Sequence, residues 1–347
     1  MIASGALANS AAAEDKKLDQ PPKPIKQAAP EFPLEMQMAG IGGSVKLAYL
    51  VNEEGNVEEV IVLASNNPWF DRPAIESVFK WHFEPGRKEG KPVRTWIKQD
   101  VDFHVRGSER VGLWAVKKTS KHKSLPAEFQ WHTAPVPVGS NFPVYPFESL
   151  RAKVKGKTKV RFIIGPEGRV LVAEVMEATV PELGRAAVAA METWLFTPPK
   201  KRDGTASFAV VEMEHDYHPS GWGNVPLTDS AKRILRSLDR NPAAVVAPKE
   251  LDAMPKPLSQ RAPVFPTALR DKGLSGEAEI EFFIDEDGDA QLPRIVSATA
   301  PEFGYAAAQA VAAWRFTPPR VNGKPAVVRV QVPVSFALSA AQKEASQ

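Results

Sequence analysis

GEAEIEFFIDEDGDAQLPRIVSATAPEFGYAAAQAVAAWRFTPP, residues 276–319, holds the order of elements that decides the fold. Ala278, Ile280, Phe282 and Ile284 recur with a period of two, the pattern of a half-buried strand. Asp285-Glu286-Asp287-Gly288-Asp289 then places Gly288 where a hairpin needs a positive φ, so the chain should fold back into a second strand. PEFGYAAAQAVAAW is rich in Ala, has no interior Pro and ends at Trp314, as an amphipathic helix should; Pro318-Pro319 stops it. Downstream, Ala326, Val328, Val330, Val332, Val334, Phe336 and Leu338 alternate with Arg329, Gln331 and Ser335, giving a last strand with one dry and one wet side.

The same order occurs three times. Sliding the chain by 233 residues lays 18–105 on 251–338 without a gap, LDQPPKPIKQAAPEFP over LDAMPKPLSQRAPVFP. A slide of 113 residues finds a middle copy, in which Pro135, Pro137, Pro143 and Pro146 match Pro22, Pro24, Pro30 and Pro33; after one inserted residue Tyr217 matches Phe103. The chain therefore divides into a tail (1–17), repeat 1 (18–105), a basic linker (106–130), repeat 2 (131–218), a linker with a short helix (219–250), repeat 3 (251–338) and a tail (339–347). The fold class is α+β: three tandem small domains, each a three-stranded antiparallel sheet covered on one face by a helix. Trp81, Trp194 and Trp314 read as core anchors, and Gly55, Gly168 and Gly288 as the hairpin turns. A complete set of elements in each copy leads to the expectation that the repeats fold separately.

Composition narrows the function. Zero Cys excludes disulfides, thiolate catalysis and cysteine-ligated metals, and no run of 18 uncharged apolar residues offers a membrane span. A net charge of +3 is too small to imply nucleic acid. Ala11-Ala12-Ala13 resembles a secretory cleavage site, so residues 1–17 are expected to be a signal-peptide remnant or a disordered tail. In the second linker, TDSAKRILRSLDRN reads as a capped helix whose Ile234, Leu235 and Leu238 pack on a neighbouring repeat. No Ser/His/Asp or metal-ligand spacing recurs, so no catalytic residue, metal or cofactor is expected. His215-Asp216-Tyr217-His218 reads as a strand end with solvated His, and the acidic hairpin 285–289 lacks the distal Glu of a calcium loop.

Phe32-Pro33, Tyr145-Pro146 and Phe265-Pro266, each followed by a Gly, a D-x-x-G-like hairpin, an Ala-rich helix and a block such as Trp314-Arg315-Phe316-Thr317-Pro318, together resemble the C-terminal domain of the TonB family of energy transducers. The resemblance covers about three quarters of the chain. It implies a periplasmic protein of a Gram-negative-type cell envelope that grips an extended peptide of a partner, an outer-membrane transporter being the family's example, by adding it to a sheet edge. A second reading is a periplasmic scaffold held by the cell wall or another anionic surface, suggested by the basic linker. Under the first reading, proline selects the edge, because a docking strand must offer free N–H groups. Repeat 3 carries Pro293 and Pro333, whereas 93–105 of repeat 1 has no Pro. The expected docking residues are Val93, Arg94, Thr95, Trp96, Ile97, Lys98, Gln99, Asp100 and Val101, with Arg94, Trp96, Lys98, Asp100 and Asp102 facing outward.

Overall fold

The computed structural model describes residues 18–338, apart from 34–41, 67–69, 105–115, 117–121, 140, 221–224, 226 and 242–244. The chain forms two compact units, 1–113 and 114–347. The 1–17 tail, the 339–347 tail and Lys117, Lys118 and Lys121 of the basic linker lie outside the described residues.

The first unit holds repeat 1. Strands β1 (Gly43–Val51) and β2 (Val57–Ser65) form the hairpin, helix α1 (Asp71–Val78) follows, and β3 (Thr95–Phe103) pairs antiparallel with β1, giving the order β2-β1-β3. Val45, Leu47, Tyr49 and Val51 are buried with Val101 and Phe103, so the alternation seen in the sequence faces the core. The outer side of α1 is polar, with Arg72 Nε 2.6 Å from Glu76 Oε1 one turn on.

The second unit contains repeats 2 and 3 and the helix between them. Repeat 2 runs α2 (Phe147–Arg151), β4 (Gly156–Ile164), β5 (Val170–Ala178), α3 (Pro181–Met191) and β6 (Ala209–Tyr217), with sheet order β5-β4-β6. The linker supplies α4 (Asp229–Arg240) and a two-residue strand β7 (Val245–Val246). Repeat 3 runs α5 (Thr267–Arg270), β8 (Gly276–Ile284), β9 (Ala290–Ala298), α6 (Pro301–Val311) and β10 (Val327–Phe336). Its sheet has four strands, in the order β7-β10-β8-β9, because β7 adds in parallel to β10.

Two devices recur in all three repeats. Each tryptophan indole reaches back 53 residues to a carbonyl of the Pro-rich lead segment: Trp81 Nε1 donates to Ala28 O (2.8 Å), Trp194 to Asn141 O (2.9 Å) and Trp314 to Arg261 O (2.9 Å). The anchor thus joins the helix end to the chain entering the domain, satisfying a buried donor while its ring fills the core. Gly55, Gly168 and Gly288 have φ of 85°, 81° and 87°, and each accepts a backbone bond of 2.8 Å from Phe83, Phe196 and Phe316 in turn. A Cβ there would lie within 2.0 Å of a phenylalanine carbonyl oxygen, so only glycine lets the turn meet the strand after the helix.

Repeats 2 and 3 do not stand apart, which corrects the expectation of three separate folding units. α3 packs along α6, α2 lies on β9 and α5 lies near β5, an approximately reciprocal arrangement. Glu192 of repeat 2 accepts hydrogen bonds from the backbone N (2.9 Å) and hydroxyl of Thr267 at the start of α5. Gln309 of repeat 3 accepts from Val144 N and donates to Phe142 O, both at 3.0 Å, and Arg294 pairs with Glu148 at 2.7 Å. The physical reason lies in the helices. Ala186, Ala189 and Ala190 on α3 and Ala306, Ala307, Ala308 and Ala310 on α6 are all buried, and such small side chains let two helices meet closely, whereas α1 turns Arg72 and Glu76 outward. α4 completes the join: Ala231 and Ile234 belong to one apolar cluster with Leu150, Leu183 and Tyr217 of repeat 2 and Phe283 and Leu292 of repeat 3.

Candidate partner-binding edge

In repeats 1 and 2 the last strand lies at the edge of its sheet, and in repeat 3 the linker strand β7 alone lies outside it, so the outer backbone groups of the last strand are available to an added strand unless the chain itself takes them. Which groups those are follows from one bond. Asn66 N donates to Ser44 O (3.3 Å) and Ser44 N to Asn66 Oδ1 (3.0 Å), so the Ser44 backbone faces the β2 side. The register breaks of the hairpin fall on β2, leaving β1 to alternate regularly; Val45, Leu47, Tyr49 and Val51 therefore bond to β3. Their partners are Val101, Gln99, Ile97 and Thr95. Trp96, Lys98, Asp100 and Asp102 consequently point their N–H and C=O groups away from the sheet.

The same parity holds in the sister repeats. Thr179 N donates to Lys157 O (3.0 Å) and Thr299 N to Glu277 O (2.9 Å), which turns the backbones of Phe208 to Asp216, and of Val327 to Ser335, outward at alternate positions. There the chain engages parts of its own edges. In repeat 2, Phe208 N donates to Glu128 O (3.0 Å) and Val225 N to Asp216 O (3.4 Å), one at each end of β6. In repeat 3, β7 pairs Val245 with Val327 and Val246 with Val328, and Pro333 stands at an outward position where it has no N–H. Along Thr95–Phe103, no backbone bond on the outer side occurs among the described residues.

The side chains of this edge sort by the same alternation. Lys98, Asp100 and Asp102 are exposed and Trp96 half-buried, while Val101 and Phe103 are buried and Ile97 and Gln99 half-buried on the core face. Gln99 Oε1 accepts a bond from Tyr49 Oη (2.9 Å), and burial pushes the Tyr49 hydroxyl up to about 12. Arg94 lies 3.5 Å from Glu53 and also pairs with Glu58. The expected docking run is shortened at its start. Val93 belongs to a separate small hairpin, Lys91–Val93 with Gly86–Lys88, and Arg94 sits between the strands, because the loop after the helix needs its own reversal before β3 begins.

The model of the family described as "Gram-negative bacterial TonB protein C-terminal" matches residues 28–105, 141–218 and 261–338. The chain belongs to the TonB C-terminal family. Protein TonB of Pseudomonas aeruginosa is 35% identical over 72 residues, which is 20% of this chain and 21% of that protein. Protein TonB of Vibrio cholerae is 27% identical over 81 residues, 23% of this chain and 33% of the other. The matched stretches thus span between a fifth and a third of these relatives. A solution structure of the Pseudomonas aeruginosa TonB C-terminal domain matches at 29% identity, covering 26% of this chain and 93% of that one with a TM-score of 0.24.

Outside the TonB C-terminal repeats, Glu128, Val225 and Val245–Val246, which engage these edges, had no signal in the sequence, since each lies in a linker and apart from helix α4. Among the described residues no helix is long and apolar enough to cross a membrane, and no group of three or more His, Cys, Asp or Glu could hold a metal ion. The second repeat also overturns the reading of a solvated strand end. His215 is 1% exposed, neither ring nitrogen has a partner among the described residues, and burial lowers its pKa from 6.5 to about 4. Thr158, directly opposite on β4, is buried with an unpartnered hydroxyl. The equivalent pairs are Val45 with Val101 and Ala278 with Val334. His215 takes the core position of a valine, on the face of the sheet that the repeat's own helix covers, as the burial of Val101 and Val334 at the same place shows.

Proposed function

We propose that this TonB-family envelope protein is a non-enzymatic periplasmic binder that captures an extended segment of a partner on the outer edge of β3 by strand addition. The contrast between three homologous edges carries the reading: the chain's own backbone engages β6 at both ends and β10 at its start, where Pro333 removes a further donor, and β3 carries no such bond among the described residues. The family points to an outer-membrane transporter as the partner. Val245–Val246 on β10 supplies the template for the docked segment, which runs parallel to β3. At about 1 kcal/mol net per backbone bond, a ladder on Trp96, Lys98, Asp100 and Asp102 stays below the roughly 8 kcal/mol of micromolar binding once association entropy is subtracted. Side-chain contacts, with Trp96 the largest surface available, make up the difference and give the partner a preferred sequence.

The test substitutes proline by parity. Asp100→Pro copies Pro333 at the same place in the sister strand and removes one outward N–H, as does Lys98→Pro. Both variants should keep the melting behaviour of the parent and lose the partner cross-linked from envelope extract. Gln99→Pro, whose N–H faces β1, should unfold repeat 1. Unchanged partner affinity in a folded Lys98→Pro or Asp100→Pro chain would overturn the proposal, as would salt-sensitive binding to cell-wall sacculi with no saturable protein partner.

A further inference from the structure

The hairpin end of repeat 2 departs from its sisters in a way that the edge strand does not explain. In repeat 1 the turn is latched by Asn52 Nδ2 donating to Glu58 Oε1 (3.2 Å), and in repeat 3 by Gln291 Nε2 donating to Asp285 Oδ2 (3.0 Å). Repeat 2 has Gly165 and Leu171 at these positions, and Leu171 lies over the glycine: a Cβ on Gly165 would come within 2.9 Å of Leu171 Cδ1. Leu171 is 39% and Val172 45% exposed, side by side. Val172 pairs across the hairpin with Ile163, itself only half-buried. The equivalents of Leu171 and Val172 in repeat 1 are Glu58 and Glu59, residues suited to water.

Repeat 3 reveals what belongs on an apolar version of this surface. Its sequence equivalents Gln291, Leu292 and Phe283 are buried, Phe283 pairing there with Gln291 because the bulge falls at a different residue, and the element that covers them is helix α4. Thr228, the N-cap of α4, donates its hydroxyl to Gln291 Oε1 (2.8 Å). Ile234 shares a cluster with Leu292 and Phe283, with Leu235 and Leu238 packed against it, and Arg233 reaches Glu286 in the hairpin turn at 3.3 Å. An amphipathic helix with aliphatic residues at this spacing and a basic residue toward the turn is thus the occupant this fold accepts. Repeat 2 offers an exposed aliphatic pair beside an exposed turn carboxylate, Glu167, one position on from Pro166, which holds the place of Glu286.

We propose that Leu171, Val172 and Ile163 form a docking surface for an amphipathic helix of a partner protein, held on repeat 2 as α4 is held on repeat 3. The surface is separate from the β3 edge, so this proposal stands or falls independently of strand addition. The probe is a labelled peptide of residues 227–241, LTDSAKRILRSLDRN, titrated into the full-length chain carrying methyl-labelled Ile, Leu and Val. Saturable binding, with shifts at the methyls of Ile163, Leu171 and Val172, is expected. Leu171→Gln with Val172→Glu, which carries the sister residues Gln291 and Glu59, should weaken binding at least tenfold with no change in melting. If that double variant fails to fold, Val172→Glu alone on the same titration should produce the loss. No saturable binding, full affinity in the folded variant, or shifts confined to the α4 site of repeat 3 would each overturn the proposal.

Discussion

Replacing His215 by Val should make the second unit both more stable and less sensitive to acid. The imidazole is buried with no hydrogen-bond partner at either nitrogen among the described residues, and burial lowers its pKa to about 4 against 6.5 for the free side chain. The unfolded chain therefore takes up a proton as pH falls through 6.5, while the folded chain resists until about 4. Stability is complete above the unfolded value and drains away across that window. The difference of about 2.5 pH units, at roughly 1.4 kcal/mol each, amounts to ~3 kcal/mol lost from this one group. At neutral pH the substitution should already gain about 1 kcal/mol or more, because two unsatisfied polar atoms leave the core. Val101 and Val334 hold the same place in the sister repeats, so the backbone accepts the new side chain. Urea unfolding of parent and His215→Val chains between pH 7.5 and 4 measures the effect, with hydrogen exchange reading the amides of 141–218. Carboxylates such as Glu212 are common to both chains and cancel in the difference. The gap between the two stabilities should widen by ~3 kcal/mol on acidification; a constant gap, or an imidazole titrating near 6.5 by NMR, would refute the reasoning.

Trp314→Ala should cost about 3 to 5 kcal/mol, a buried aromatic's usual loss, and hydrogen exchange should show reduced protection across both repeats 2 and 3 while repeat 1 keeps its own. Glu192→Ala strips the acceptor from Thr267 and should destabilise the second unit by about 1 to 3 kcal/mol; Glu192→Gln should cost less, since burial already raises the Glu192 pKa and the amide oxygen still accepts, and chemical unfolding of both variants decides this. Gly168→Ala puts a Cβ 1.9 Å from Phe196 O at a φ of 81°, and should lower the melting temperature far more than Gly204→Ala, where φ is 84° but nothing lies within 4 Å. The comparison separates the clash from backbone strain.

Hairpins, helices, tryptophan anchors and glycine turns were legible in the chain because their signals lie within a few residues of one another. Alternation in 278–284 and 326–338, the positive φ at Gly288 and the alanine run before Trp314 are each consequences of local backbone geometry, and threefold repetition makes each signal plain. The β3 edge was legible in part. Absence of Pro marked the strand, but not the direction of its N–H groups, which depends on the bond between Asn66 and Ser44, 22 residues apart.

The sequence by itself thus determined the repeat unit, its secondary structure and its inward and outward faces, and with them the family. Only the tertiary structure decided that repeats 2 and 3 are joined by a common apolar cluster, that β7 lies on β10, that Glu128 bonds the start of β6 and that His215 is buried. Periodicity states which side of an element is apolar; it does not state which partner covers that side. Glu192 meets Thr267 across 75 residues and Gln309 meets Val144 across 165, contacts between separate repeats that no local pattern encodes. The buried alanines of α3 and α6 are equally consistent with a helix facing its own sheet or a neighbour, and close packing between the two domains made the choice.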